Sequence, residues 1–153
     1  MSKKVKWSPS AKFFSTLADE VRDRLEVAGK KGEGVGGTFK AYTSKYAKRK
    51  SEGKAGEKGD SIVSRSTKPD LTLTGAMWTG LTATSKNDSA EVGWLSKTEA
   101  TKVKWNQENG RAVFTKDKIV KSVQTYIEKQ FKREMDKQTA KLQKKPTRLS
   151  MKK

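Results

Sequence analysis

The chain contains no cysteine and no histidine among its 153 residues. The lack of cysteine excludes disulfides and thiolate metal sites. The lack of histidine removes the commonest general base and the commonest metal ligand of proteins. Asp60, Asp70 and Asp88 are single carboxylates in predicted loops, without a companion catalytic motif. We therefore expect no enzymatic activity, no metal site and no cofactor.

Apolar residues are scarce as well. They make up 32% of the sequence, whereas about 45–50% is usual for a globular domain with glycine counted, so part of the chain must lie outside any core. No apolar run approaches the roughly 20 residues of a membrane span, and the N-terminal segment lacks the apolar region of a signal peptide. We expect a soluble protein, made in the cytoplasm, with one modest core.

Positive charge is abundant, with a formal net charge of +18 and a pI of about 10.1. A charge of this size indicates acidic partners rather than a particular fold. Two interpretations remain open. The chain is either a nucleic-acid-binding protein, or a protein that docks on an acidic protein surface or packs near DNA in a larger assembly. No P-loop spacing and no RNA-recognition, KH or zinc-finger signature is present.

Hydrophobic periodicity predicts the secondary structure. Ser8 as N-cap, Pro9 at the first helical position and a stop at Gly29 predict a first helix over residues 9–28. The remaining predictions, in chain order, are a short helix capped by Thr43, a helix over 75–80 capped by Thr74, a hairpin of 81–85 and 90–94, a helix opened by a Ser96–Glu99 capping box and ending at Asn109-Gly110, and a last helix from Thr115–Asp117 to Pro146.

These elements predict an α+β fold. A small antiparallel sheet, built around the hairpin and the segment 112–114, would be packed by the long N- and C-terminal helices. Residues 1–136 would form the single domain, with a mobile loop at about 51–69, and residues 137–153 a basic C-terminal extension. The candidate docking residues of this basic region are Lys132, Arg133, Lys137, Lys141, Lys144 and Lys145.

Aromatic residues lie close to basic ones at two places, and each place has two interpretations. The tyrosines at 42 and 46, beside the cations at 45 and 48–50, would either grip phosphates or belong to a solvated amphipathic helix. The tryptophans at 7, 78, 94 and 105 would either stack on bases or pack in a core or interface. For Trp78 and Trp94, packing is favoured, because Trp94 lies on the apolar face of a predicted strand.

Two segments carry a resemblance to a known family: TFKAYTSKYAKRK at residues 38–50 and DLTLTGAM at residues 70–77. The amino-acid sequences of these segments, and their order in the chain, resemble those of the head–tail joining (tail-completion) proteins of tailed bacteriophages. A looser likeness continues through the helix ending at Asn109-Gly110 and the following Arg111. The candidate interface residues are Phe39, Tyr42, Tyr46, Lys48, Arg49, Lys50, Met77 and Trp78.

The resemblance implies a structural virion protein located in the phage neck. It would form a homo-oligomeric ring, typically hexameric, with portal and head-completion proteins on one side and tail terminator or tail tube proteins on the other. Non-specific contact with DNA that passes through the ring is part of this expectation, and contact with a membrane is not. The alternatives are a tail terminator ring protein and a basic nucleic-acid-binding protein.

Overall fold

A computed structural model of the chain describes residues 8–72 and 75–143. In these ranges the chain has an α+β fold of five helices and two antiparallel sheets of two strands each. The elements in chain order are α1 Ala11–Lys30, β1 Glu33–Gly34, β2 Gly37–Thr38, α2 Ser44–Ser51, α3 Ala76–Thr79, β3 Leu81–Ser85, β4 Ala90–Trp94, α4 Lys97–Glu108 and α5 Lys121–Gln143. No helix of the described ranges is long and apolar enough to cross a membrane.

Helix α1 begins and ends two residues later than the sequence predicts. Its N-cap is Ser10 rather than Ser8, because the Ser10 hydroxyl accepts a hydrogen bond from the Phe13 N–H at 3.2 Å. Gly29 does not end the helix. It lies inside the helix against the indole of Trp78, where a Cβ would come within 2.2 Å of the ring. The chain leaves α1 at Gly32, whose φ of +79° suits glycine.

The β3–β4 hairpin has the predicted register and the predicted apolar face. Leu81 pairs with Trp94, and Ala83 pairs with Val92. Helix α1 packs on both strands. The Trp94 ring stacks on Phe114 at 4.9 Å between centroids, and its Nε1 donates to the carbonyl of Met77 at 2.9 Å. Packing, not base stacking, therefore accounts for this tryptophan.

The segment 112–114 does not join the hairpin as a third strand. Its main-chain groups bond elsewhere: the Ala112 carbonyl accepts from the Val35 N–H, and the Val113 carbonyl accepts from the Val120 N–H, both at 2.8 Å. A tight turn at residues 115–118 returns the chain, so that Phe114 bridges to Ile119. The last helix consequently begins at Lys121, and the start predicted at Thr115–Asp117 is wrong.

Helix α5 packs along α1 in the antiparallel direction. Near its start Ser122 donates to Glu33, just after the end of α1, and near its far end Gln138 donates to the Ser8 carbonyl, before the start of α1. Between these points the Phe131 ring meets Phe13 edge-to-face at 5.1 Å. The C-terminal end of α5 therefore lies at the N-terminal end of α1.

Candidate functional site

The two segments that carry the family resemblance meet at the carboxylate of Asp70. Lys50, the last residue of the first segment, forms an ion pair with Oδ1, and the Ser64 hydroxyl donates to Oδ2. The Thr72 N–H also donates to Oδ1 at 3.0 Å, and the Tyr42 hydroxyl lies 3.5 Å from the same oxygen. One carboxylate thus ties α2, the loop after it and the segment before α3 together.

Lys50 is an interior residue, contrary to the prediction that it lies at an interface. Its side chain has 0% exposure, because α2 presents this position inward, one turn after Tyr46. A buried ammonium requires a partner charge, and Asp70 supplies it. Because the side chain is fully buried, the amine makes no contact with molecules outside the subunit.

Three apolar residues of the predicted interface are interior as well. Phe39, Met77 and Trp78 are all buried in the core of the subunit. Phe39 packs closely over Gly34, and Trp78 fills the space that Gly29 leaves open. Their burial corrects the expectation that they form an outer surface, and it confirms core packing as the interpretation of Trp78.

The other four predicted interface residues reach the surface, and the two tyrosines are half-buried. Thr43 caps α2 as predicted, accepting from the Tyr46 N–H at 3.3 Å. The Tyr42 and Tyr46 rings meet edge-to-face at 4.8 Å. Lys48 and Arg49 are exposed, and Arg49 donates twice to the Lys54 carbonyl, at 2.9 and 3.2 Å. Helix α2 therefore presents a basic outer face beside a tyrosine pair.

Burial changes the acidity of both tyrosines. It raises the pKa of Tyr42 from the usual 10.0 to about 12, and the neighbouring carboxylate of Asp70 adds to the effect. Burial also raises the pKa of Tyr46, again with a contribution from Asp70. Both hydroxyls therefore keep their protons at neutral pH.

Arg111 completes this region, and the sequence interpretation gave it no role. It is buried, and it donates to the carbonyls of Lys40 at 2.8 Å and Ala41 at 3.0 Å. Its guanidinium also lies 4.8 Å from the centroid of the Tyr42 ring. No local pattern in the sequence marks Arg111, because the two carbonyls that it binds lie 70 and 71 residues away.

A cleft of about 700 Å³ lies between the loop after α2 and helix α4. Tyr42 and Tyr46 line it, together with Trp105, which is 57% exposed. Glu99 lies in the same cleft and is not part of a capping box. Ser96 occupies the N-cap position of α4 without a side-chain cap, and Glu99 turns inward instead, where its side chain is buried.

The predicted basic docking region is only partly described. Lys132, Arg133, Lys137 and Lys141 are exposed on α5, which continues without a break through residue 137 to Gln143. Lys144 and Lys145 lie outside the described residues, as do Trp7, Thr74 and the helix end predicted at Pro146. The apolar stripe of α5 fades at Met135, which is 47% exposed. The cations of the second half of the helix therefore take no part in core packing.

No cluster of three or more acidic side chains that would hold a metal ion occurs within residues 8–72 and 75–143. Comparison with known proteins found no protein family, curated protein or solved structure that matches this chain. A function for it therefore has to be argued from the residues themselves.

Proposed function

We propose that this chain is a structural virion protein of a tailed bacteriophage, forming a neck ring that joins the DNA-filled head to the tail. The observation that carries the proposal is the convergence of the two family-like segments on Asp70. The two stretches are separated by nineteen residues in the sequence, and in the fold they meet in a single contact network.

The network explains why such segments would occur together. A buried ion pair whose partners come from both stretches fixes the position of α2 relative to α3, and losing either partner leaves an uncompensated charge. The two stretches therefore depend on each other, because each supplies one partner of the ion pair. The network around Asp70 stabilises the subunit itself. The surfaces that would contact partner proteins lie elsewhere.

Exposed positive charge is the second support for the proposal. Lys45, Lys48 and Arg49 lie on the outer face of α2, and further cations lie on α5. In a neck ring these faces would meet acidic surfaces of portal, head-completion, tail terminator or tail tube proteins, or the phosphates of DNA in the channel. The work of such a ring is self-association and docking, without enzymatic chemistry. The protein would be made in the host cytoplasm and end in the virion neck.

A basic nucleic-acid-binding protein is the second candidate function. The observation that favours it is the row of exposed cations on the second half of α5: Lys129, Lys132, Arg133, Lys137 and Lys141. If this row of cations binds DNA, the logarithm of the binding constant falls linearly with the logarithm of the salt concentration. The slope is about −0.9 for each phosphate that the protein neutralises.

Mass measurement and negative-stain imaging of the purified full chain separate the two functions. A neck protein is expected to form a closed ring of fixed copy number, alone or when mixed with purified portal-bearing heads, and to bind duplex DNA weakly. A chain that stays monomeric under both conditions, and binds duplex tightly with a steep salt dependence, contradicts the neck function and supports the second candidate.

A further inference from the structure

The cleft beside α4 is acidic, in a protein that is otherwise strongly basic. Its described lining includes the carboxylates of Glu57, Asp60 and Glu99 but only one cationic side chain, that of Lys102. The whole chain has a net charge of +18. A locally negative site in a positive molecule attracts a cationic group.

One oxygen of Glu99 lacks a hydrogen-bond donor. The residue is only 9% exposed, and its Oε1 accepts from the Lys102 amine at 3.1 Å. Its Oε2 is fully buried and, among the described residues, has no partner. Buried carboxylate oxygens are normally satisfied, since leaving one unpaired is costly. Lys102, the one described cation of the cleft, therefore pairs with only one of the two oxygens of this carboxylate.

Aromatic rings line the same cleft as this carboxylate. Trp105, 57% exposed, and the edge-to-face pair of Tyr42 and Tyr46 line the cleft. Aromatic faces attract ammonium and guanidinium groups, and they pack against the aliphatic stems of lysine and arginine. Carboxylate and rings together suit a lysine or arginine side chain better than a bare metal ion.

We propose that this cleft binds the basic segment of residues 144–153 from a second copy of the chain. That segment reads KKPTRLSMKK, with five cationic residues, no acidic residue, and Leu149 and Met151 to contact the apolar part of the wall. A lysine or arginine of the segment enters the cleft and pairs with its carboxylates, those of Glu57, Asp60 and Glu99. The inference rests on the self-association that the proposed function requires, because a neighbour must supply the segment.

The geometry of α1 and α5 favours a second copy over the same copy. Gln138 of α5 contacts the carbonyl of Ser8, at the start of α1. The cleft lies at the other end of α1, where Gly29 packs on Trp78, next to the cleft residue Met77. An α-helix of this length spans about 30 Å, and α5 runs about 8 Å further past Ser8. Ten residues cover at most about 36 Å, less than these two distances together (about 38 Å), so the same copy's segment falls short of the cleft even when fully extended.

Binding of a fluorescent peptide with the sequence of residues 144–153 to the full-length protein, followed by anisotropy, tests the proposal. The wild-type protein is expected to bind it saturably, and added salt weakens the binding. Glu99→Gln is expected to weaken it about 10- to 100-fold, as for loss of a hydrogen bond to a charged group. Trp105→Ala, at an exposed position that the core does not need, is expected to weaken it too. Asp88→Asn, in the exposed hairpin turn, is the matched control and leaves binding unchanged.

Absence of saturable binding to the wild type overturns the proposal, as does equal affinity of the Glu99→Gln, Trp105→Ala and Asp88→Asn proteins. These outcomes are separate from a failure of the neck function. Rings that form normally in a protein without peptide binding leave the neck function standing and remove the cleft proposal. Specific peptide binding by a protein that never forms rings supports the cleft proposal and removes the neck function.

Discussion

The ion pair between Lys50 and Asp70 gives the sharpest test of how this fold is held together. Lys50 has 0% side-chain exposure and Asp70 has 13%. Replacing Lys50 by methionine keeps a long, flexible side chain but leaves the Asp70 carboxylate buried without its countercharge. Breaking a buried pair in this way costs about 3–5 kcal/mol, a large part of the roughly 5–15 kcal/mol by which domains are stable.

The reciprocal variant and the double variant show whether the pair is the cause. Asp70→Asn strands the buried ammonium of Lys50 and is expected to cost a similar amount. The double variant Lys50→Met/Asp70→Asn removes both charges, so its cost should be well below the sum of the two single costs. Urea unfolding followed by circular dichroism at equilibrium gives the free energy of unfolding for each protein.

Lys48→Met is the matched control, since Lys48 is exposed on the same helix. Its effect should stay within about 0.5 kcal/mol of the wild type. If Lys50→Met costs no more than Lys48→Met, or if the two single costs simply add in the double variant, the reasoning about the Asp70 network is refuted.

Three further predictions concern the core and its pH response. Trp94→Ala removes the ring that stacks on Phe114 and is expected to cost about 3–5 kcal/mol in denaturant unfolding. Gly29→Ala drives a Cβ to within 2.2 Å of the Trp78 ring and is expected to destabilise by about 1–3 kcal/mol, despite the better helix propensity of alanine. The pKa of Tyr42 is about 12 in the folded chain, against 10.0 normally, so the unfolded chain loses this proton first. The stability that depends on Tyr42 is therefore fully present below about pH 10 and falls between pH 10 and 12.

Each of these predictions has a control in the same chain. Trp105→Ala removes an exposed ring and should leave stability nearly unchanged; a loss as large as that of Trp94→Ala contradicts the assigned core. Gly36→Ala, where no atom lies within 4 Å of the added Cβ, should be tolerated, and equal damage at both glycines argues against the close approach of Trp78. Tyr42→Phe should flatten part of the alkaline fall in stability. An unchanged fall would mean that other groups cause it.

The pattern of apolar residues predicted the elements well and their ends less well. The hairpin register followed from alternation, because one slipped residue would expose Leu81 and Trp94. Gly29 misled the prediction of the end of α1, since a glycine that permits close packing looks in sequence like a glycine that ends a helix. The 112–114 segment read as a strand because its apolar content is strand-like, while its hydrogen-bond partners lie about 80 residues away in the sequence or across a turn.

The candidate site was harder to predict than the fold. Lys50 was predicted to be a surface cation because lysine is almost always exposed. The distant carboxylate of Asp70 offsets the free-energy cost of burying its charge. Glu99 fits the spacing of a capping box, yet tertiary packing turns it inward. The partner of Lys50 lies twenty residues away in the sequence, so local spacing carries no trace of it.

The location of the chain in virus particles is the most direct test of the neck function. Cryo-electron microscopy of particles assembled with and without the protein measures it. The neck function predicts one closed ring of density between head and tail, into which this α+β subunit fits, and unjoined heads and tails when the protein is omitted. Joined particles without the protein, or a chain found with the packaged DNA and not at the neck, would contradict it.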